Sequence, residues 1–283
     1  MCLIALALDQ HARYPVVVAS NRDEFLHRHT SALDWWQDGP GAAPLLGGRD
    51  LQAGGTWMAL NVQGRVAMLT NVRDLPRHDQ AAPSRGSIVP AWLAGQQSTT
   101  EFWRDIAARG HNPFNLLAAD LATGQWWWAD DQAPRPQRLT PGLYGLSNAA
   151  LDTPWPKVQR LKQALAEALA QSPTPAELES RLFAALADRT GAPDQALPDT
   201  GIGVERERWL APAFIRTPDG RYGTRCSTLL IAERQGERLI VRVVERQFDD
   251  GGHACAQHGV WLTPWPLRAD ELPTVAAEQF NAV

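Results

Sequence analysis

The stretch Cys2–Leu8 (CLIALAL) is apolar at every position, and Val16–Ser20 (VVVAS) is nearly so. A strand with one face in water alternates polar and apolar residues, whereas a run without a polar face must be covered on both sides. The break DQHARYP between these two runs predicts a hairpin, and its composition predicts that other layers lie above and below it. Further hairpins follow the same logic. Thr56–Asn61 and Arg65–Asn71 flank the turn VQG, FNLLAAD and QWWWAD flank LATG, and CSTLLIAE and RLIVRVVER flank RQGE. Gly142–Asn148 reads as one more short strand.

Helices fall between these hairpins. Trp155, Val158, Leu161, Leu165 and Leu169 recur at helical spacing, with Thr153 read as the cap of a helix starting at Pro154. Thr174-Pro175-Ala176-Glu177 is a capping box opening a helix through Leu178, Leu182 and Leu186. Shorter helices are expected over 88–94 and 101–109. The Pro- and Gly-rich stretches 39–48, 133–142 and 191–203 read as loops. Hairpins with helices between them predict an α+β sandwich of two mostly antiparallel sheets covered by helices, as a single domain over 1–283.

Composition narrows the function classes. A formal net charge of −4 gives no electrostatic reason for nucleic acid or an anionic membrane as partner. Leu3–Leu8 is too short for a membrane span or a signal-peptide core. Three cysteines, an odd count without close pairing, argue against a disulfide framework and fit a reducing compartment, so the expected location is cytoplasmic. Twelve tryptophans are available to fill cores and line a pocket.

Cys2 is the first candidate for chemistry. Removal of Met1 would leave a thiol and a free α-amine on one residue, and an amine with a pKa of about 7.7–8.0 can serve as base toward its own thiol. The same position also suits a buried structural cysteine. Asn21-Arg22-Asp23-Glu24 follows the second apolar run, and antiparallel pairing would return it beside Cys2. There Asp23 could hold the ammonium, and Arg22 could favour a thiolate. A solvated turn is the plainer reading of those four residues alone. Asn71 and Asn148 end apolar strands, where amide donors could face a developing oxyanion or simply serve turns. Arg225 could bind a substrate anion or form an ordinary ion pair. His253, Cys255 and His258, with His27 and His29 elsewhere, lack the spacing of a closed zinc site, so no metal is expected. No phosphate-binding glycine loop is present.

These blocks together resemble the NRDE family, also called the transport and Golgi organisation 2 family. The resemblance rests on MCLIALAL, VVVASNRDEF, LLGGRDLQAGGTWMALN, VAMLTNVRD, YGLSNAALDTPWPKV and YGTRCSTLLI in that order. The family is in turn similar to cysteine N-terminal-nucleophile hydrolases, which implies a four-layer αββα sandwich. It also implies Cys2 as nucleophile, Asp23 as the holder of its amine, and Asn71 and Asn148 as the two active-site amides. Asn21, Trp57 and Arg225 are expected to bind substrate, and loops 39–55 and 191–212 to wall the pocket. One departure is visible: those hydrolases carry an arginine three residues before the aspartate, and here that position is Ser20. Arg22 or Arg225 is left to supply the cation. The implied activity is cleavage of an amide or thioester of a small molecule through a Cys2 acyl-enzyme. The alternative is a non-catalytic binding or trafficking protein of the same fold. Its ligand would be haem, with Cys2 or a histidine as axial ligand, or a lipid-like molecule.

Overall fold

A computed structural model describes residues 2–267 and 272–280. The strands are β1 (Cys2–Leu8), β2 (Val16–Phe25), β3 (Thr30–Trp36), β4 (Leu45–Asp50), β5 (Met58–Asn61), β6 (Arg65–Asn71), β7 (Phe114–Asp120), β8 (Gln125–Asp130), β9 (Gln137–Leu139), β10 (Gly142–Leu146), β11 (Tyr222–Gln235), β12 (Arg238–Phe248), β13 (Ala254–Trp265) and β14 (Ala276–Ala277). The α-helices are α1 (Ile88–Ala94), α2 (Thr99–Ala107), α3 (Pro156–Gln171), α4 (Pro175–Leu186) and α5 (Val204–Trp209). Among the described residues the strands form two seven-stranded antiparallel sheets. One has the order β10-β1-β2-β11-β12-β13-β14, and the other runs β3 to β9 in sequence order.

Strand alternation produces the layers. Cys2, Ile4, Leu6 and Leu8 point into the core between the sheets. Leu3, Ala5 and Ala7 point the other way, against Leu161 and Leu165 of α3 and Leu178 and Leu182 of α4. In the second sheet Leu46, Met58 and Met68 face the inter-sheet core, while Leu45, Ala59 and Ala67 pack under Trp92 of α1 and Phe102 of α2. Three apolar interfaces therefore separate four layers, helix, sheet, sheet and helix, which is the α+β, αββα sandwich expected. An unbroken apolar strand is what such a stack demands. Each fully buried leucine on either face contributes roughly 1.5–3 kcal/mol.

Several local expectations are corrected. β3 and β13 are not foreseen from the sequence, because Leu33 alone is buried in β3, and in β13 a buried Gln257 and an exposed Trp261 blur the alternation of a strand. The stretch 39–48, read as a loop, ends in β4, whose Leu45 and Leu46 are buried on opposite faces. The stretch 133–142 contains β9. Helix α3 begins at Pro156 with Trp155 at the cap position. Pro156 needs no hydrogen-bond acceptor in the first turn, and the Thr153 hydroxyl instead donates to the Ala150 carbonyl at 2.7 Å. Thr174 does cap α4, accepting from the Glu177 N–H at 3.3 Å. The Asn21–Glu24 segment is strand rather than turn, because β11 continues to pair with β2 as far as Tyr222 opposite Phe25. Among the described residues no helix is long and apolar enough to cross a membrane.

Candidate active site

Register decides which side chains meet. Cys2 on β1 lies opposite Arg22 on β2, and Arg22 lies opposite Cys226 on β11, so the three stand in one row. Both cysteines face the inter-sheet core. Where that core ends, a cavity of about 300 Å³ opens, walled by Cys2, Arg22, Glu24, Trp57 and Asn71 among others. Alternation along β2 sends Asn21 and Asp23 to the opposite face, toward the helices. One tetrapeptide thus serves two layers.

On the cavity face, Arg22 is held on several sides. Its Nη1 donates to Thr30 Oγ1 at 3.1 Å, and its Nη2 lies 3.8 Å from Asp50 Oδ2 and 3.9 Å from Glu24 Oε2. Its guanidinium sits 4.4 Å from the centre of the Trp57 ring. That ring reaches this position across Gly48, where a Cβ would stand only 2.5 Å from it. Arg28 completes the network, donating to Asp50 at 2.6 Å. The adjacency of Arg22 to Asp23 had set Arg22 against Arg225 as the cation beside the thiol. It is Arg22 that shares the cavity with Cys2. Arg225 lies at a bulge in β11, is bonded to Asp250 at 2.9 Å, and is not among the residues that wall the cavity.

On the helix face, Asp23 is fully buried and accepts from Thr224 Oγ1 at 2.7 Å. The same hydroxyl accepts from the Ile215 N–H at 2.9 Å, which fixes its orientation. Burial raises the Asp23 carboxyl above its ordinary value, and the Lys157 ammonium opposes that rise. Lys157 is itself 2% exposed and donates to the Leu210 carbonyl at 3.0 Å. Burial pulls its pKa down to about 8, with Asp23 acting in the other direction. Asn21, expected to bind substrate, is instead a structural tie. Its amide donates to the Leu186 and Ala213 carbonyls at 2.8 and 2.9 Å and accepts from Ser227, far from the cavity face of its own strand.

The two asparagines are linked. Asn71 is the last residue of β6 and walls the cavity beside Cys2. Asn148, buried just beyond β10, donates from its side chain to the Asn71 carbonyl at 2.8 Å. The Ser147 hydroxyl lies 3.2 Å from Asn148 Oδ1 and 3.4 Å from the Cys2 carbonyl. Asn148 therefore ties the end of β6 to the segment after β10, Ser147 reaches back to the start of β1, and Asn71 forms part of the cavity wall beside Cys2. Burial pushes the Cys2 thiol up to about 11, so at neutral pH the sulfur is protonated, and attack by it needs a base close at hand.

A second cavity of about 700 Å³ shares Glu24, Arg28, Asn71 and Arg85 with the first. Val72, Leu75 and Trp209 give it a more apolar lining. Both stretches expected to form walls contribute residues, from regular elements as well as loop. Asp50 at the end of β4 and Ala53 border the smaller cavity, and Ile202 with Arg206 and Trp209 of α5 the larger. Sequence reasoning missed Lys157, Asp50 and Arg85. Lys157 stands beside the apolar stripe of α3, a pattern that a lysine extending into solvent produces equally well. Among the described residues no three His, Cys, Asp or Glu side chains gather as a metal site; His253, Cys255 and His258 stay spread along or just before β13.

A conjugated bile acid hydrolase from Clostridium perfringens superposes with a TM-score of 0.45 at 10% identity, over 99% of this chain and 97% of its own. An N-acylethanolamine-hydrolyzing acid amidase ortholog from Caenorhabditis elegans gives 0.43 at 11% identity, over 81% and 92%. The Homo sapiens Transport and Golgi organization protein 2 homolog is 33% identical over 270 residues, 88% of this chain and 94% of its own length. The Mus musculus homolog is 32% identical over 254 residues, 83% and 90%. The family model described as Transport and Golgi organisation 2 matches residues 1–250, and the chain belongs to that family.

Proposed function

We propose that this protein is an N-terminal-cysteine hydrolase that cleaves an amide or thioester of a small molecule. The observation that carries the reading is the placement of one residue. The Cys2 thiol borders a charged cavity together with Asn71, and Asp23 lies one step past the end of β1 on the neighbouring strand. Removal of Met1 exposes the Cys2 amine at that end, where the Asp23 carboxylate holds it. The amine takes the thiol proton, which the raised thiol pKa makes necessary. The sulfur then bonds to the carbonyl carbon, and the oxygen that becomes negative is met by the Asn71 amide and a backbone N–H. Collapse expels the leaving group with the proton from the ammonium, and water releases the acyl group by the reverse path. The three cysteines are free thiols, one of them exposed, which fits a reducing compartment such as the cytoplasm. The test is incubation of the processed chain with an electrophilic acyl probe. Covalent label on Cys2, absent in Cys2→Ala, supports the reading; equal labelling of both removes it.

The larger cavity favours a second reading, in which an apolar ligand is carried rather than cleaved. His78 and Trp209 both border it, so a haem would find an axial nitrogen and an aromatic wall there. A Soret band that survives Cys2→Ala and disappears in His78→Ala, without any hydrolysis by the wild type, would select this reading.

A further inference from the structure

Three arginines line the Cys2 cavity, and their charges are not balanced alike. Arg22 has Asp50 and Glu24 within 4 Å, and Arg28 is paired with Asp50 at 2.6 Å. Arg85 has no carboxylate within 4 Å among the described residues, and its Nη1 donates to a neutral acceptor, the Pro113 carbonyl, at 2.9 Å. A guanidinium is a planar fork of five donors, and most of this one is unspent. Burial pulls its pKa down and the Arg28 charge adds to that, while the more distant Glu24 and Asp131 carboxylates act in the other direction.

The backbone that carries this side chain is also held in place. The Gly86 backbone packs against Gly55 so closely that a Cβ on Gly55 would stand 2.3 Å from the Gly86 carbonyl. The Thr56 N–H donates to that carbonyl at 3.1 Å. Thr56 and Trp57 border the same cavity, so the segment that carries Arg85 is docked onto the segment that builds the opposite wall. Arg85 stands where the smaller cavity meets the larger one, belonging to both.

We infer that Arg85 is the anion-binding residue of this site and selects ligands whose carboxylate or phosphate lies within reach of the Cys2 thiol. The fork would grip two oxygens of either group in a bidentate pair. The inference uses the proposed function only for the reactivity of Cys2, and it stands or falls separately from hydrolysis.

Two reagents of nearly the same shape test it. The processed chain is alkylated with iodoacetate, an anion, or iodoacetamide, its neutral counterpart, and the rates at Cys2 are read by peptide mass spectrometry. The wild-type ratio, relative to free cysteine, favours iodoacetate. It falls about tenfold in Arg85→Gln, falls less in Arg85→Lys, and is unchanged in Arg225→Gln. An equal ratio in wild type and Arg85→Gln overturns the assignment. A second readout works without a reactive thiol: the thermal midpoint in acetate or inorganic phosphate against chloride at matched ionic strength. A rise with acetate alone assigns a carboxylate, and a rise with phosphate alone assigns a phosphate, provided Arg85→Gln abolishes it. No rise in the wild type, or the same rise in the variant, refutes the site. Labelling of Cys2 at the expected ratio without turnover of any acyl probe would keep the anion site and discard the hydrolase.

Discussion

The two ends of the sandwich make an instructive pair. Strand β1 runs from one to the other, with Cys2 at the first end and Leu8 at the second. Each end has a cavity where the sheets part, about 300 Å³ beside Cys2 and about 280 Å³ beside Leu8. Volume does not tell them apart. At the Leu8 end the charges that wall the cavity lie largely in water, Asp9 and Arg234 being more than half exposed and 3.9 Å apart, a pair worth about 0–1 kcal/mol. The neighbouring buried Glu233 is paired with Arg13 at 2.9 Å. At the Cys2 end Arg22, Asp23, Lys157 and Glu207 are all less than 5% exposed. Enclosing ions costs several kcal/mol each unless partners compensate. A fold spends that much where chemistry or binding needs the charge, which is why buried titratable groups mark sites better than open space does.

The contrast can be broken most easily at Cys2. Cys2→Ala is expected to lower turnover of an acyl probe at least about 10³-fold, while Thr140→Ala in the opposite cavity leaves it unchanged; steady-state rates of the two variants decide. Asn71→Ala is expected to cost about 10²–10³-fold in kcat with little change in KM, as loss of an oxyanion donor does. Thr224→Val, which removes the donor to buried Asp23, should destabilise the fold by about 1–3 kcal/mol in urea titrations. Asp9→Asn at the other end should stay within about 0.5 kcal/mol.

The buried lysine gives a sign to test. Its folded pKa of about 8 lies below the ordinary 10.5, so the unfolded chain holds the proton more tightly. Its contribution to stability is therefore present above pH 10.5 and is lost as pH falls through about 8. Wild-type stability should rise between those limits relative to Lys157→Met, which flattens that part of the profile. A parallel course for the two proteins would show that Lys157 is not held in a depressed state.

Much of this was legible in the sequence, for physical reasons that differ by element. The β1–β2 hairpin could be read because total apolarity has few explanations other than cover on both faces. The helix α4 could be read because Thr174 and Glu177 satisfy backbone groups locally. Pairing of Cys2 with the Asn-Arg-Asp-Glu segment followed from the hairpin, but the face of each residue depended on register. Asn21 thus went to the helices, and Arg22 rather than Arg225 came to the thiol. Arg85 was hidden in a loop whose place is set by contact with Gly55, thirty residues or so earlier in the chain. No local pattern reports such a contact.

The account depends most on a free amine and a thiol at Cys2 acting together. Intact-mass analysis of the purified chain after brief exposure to an acyl probe tests this most directly. The account predicts a chain that starts at Cys2 and carries one acyl group on that residue, lost again on standing in water. A chain that turns over the probe with Met1 still attached, or one acylated anywhere but Cys2, would contradict it.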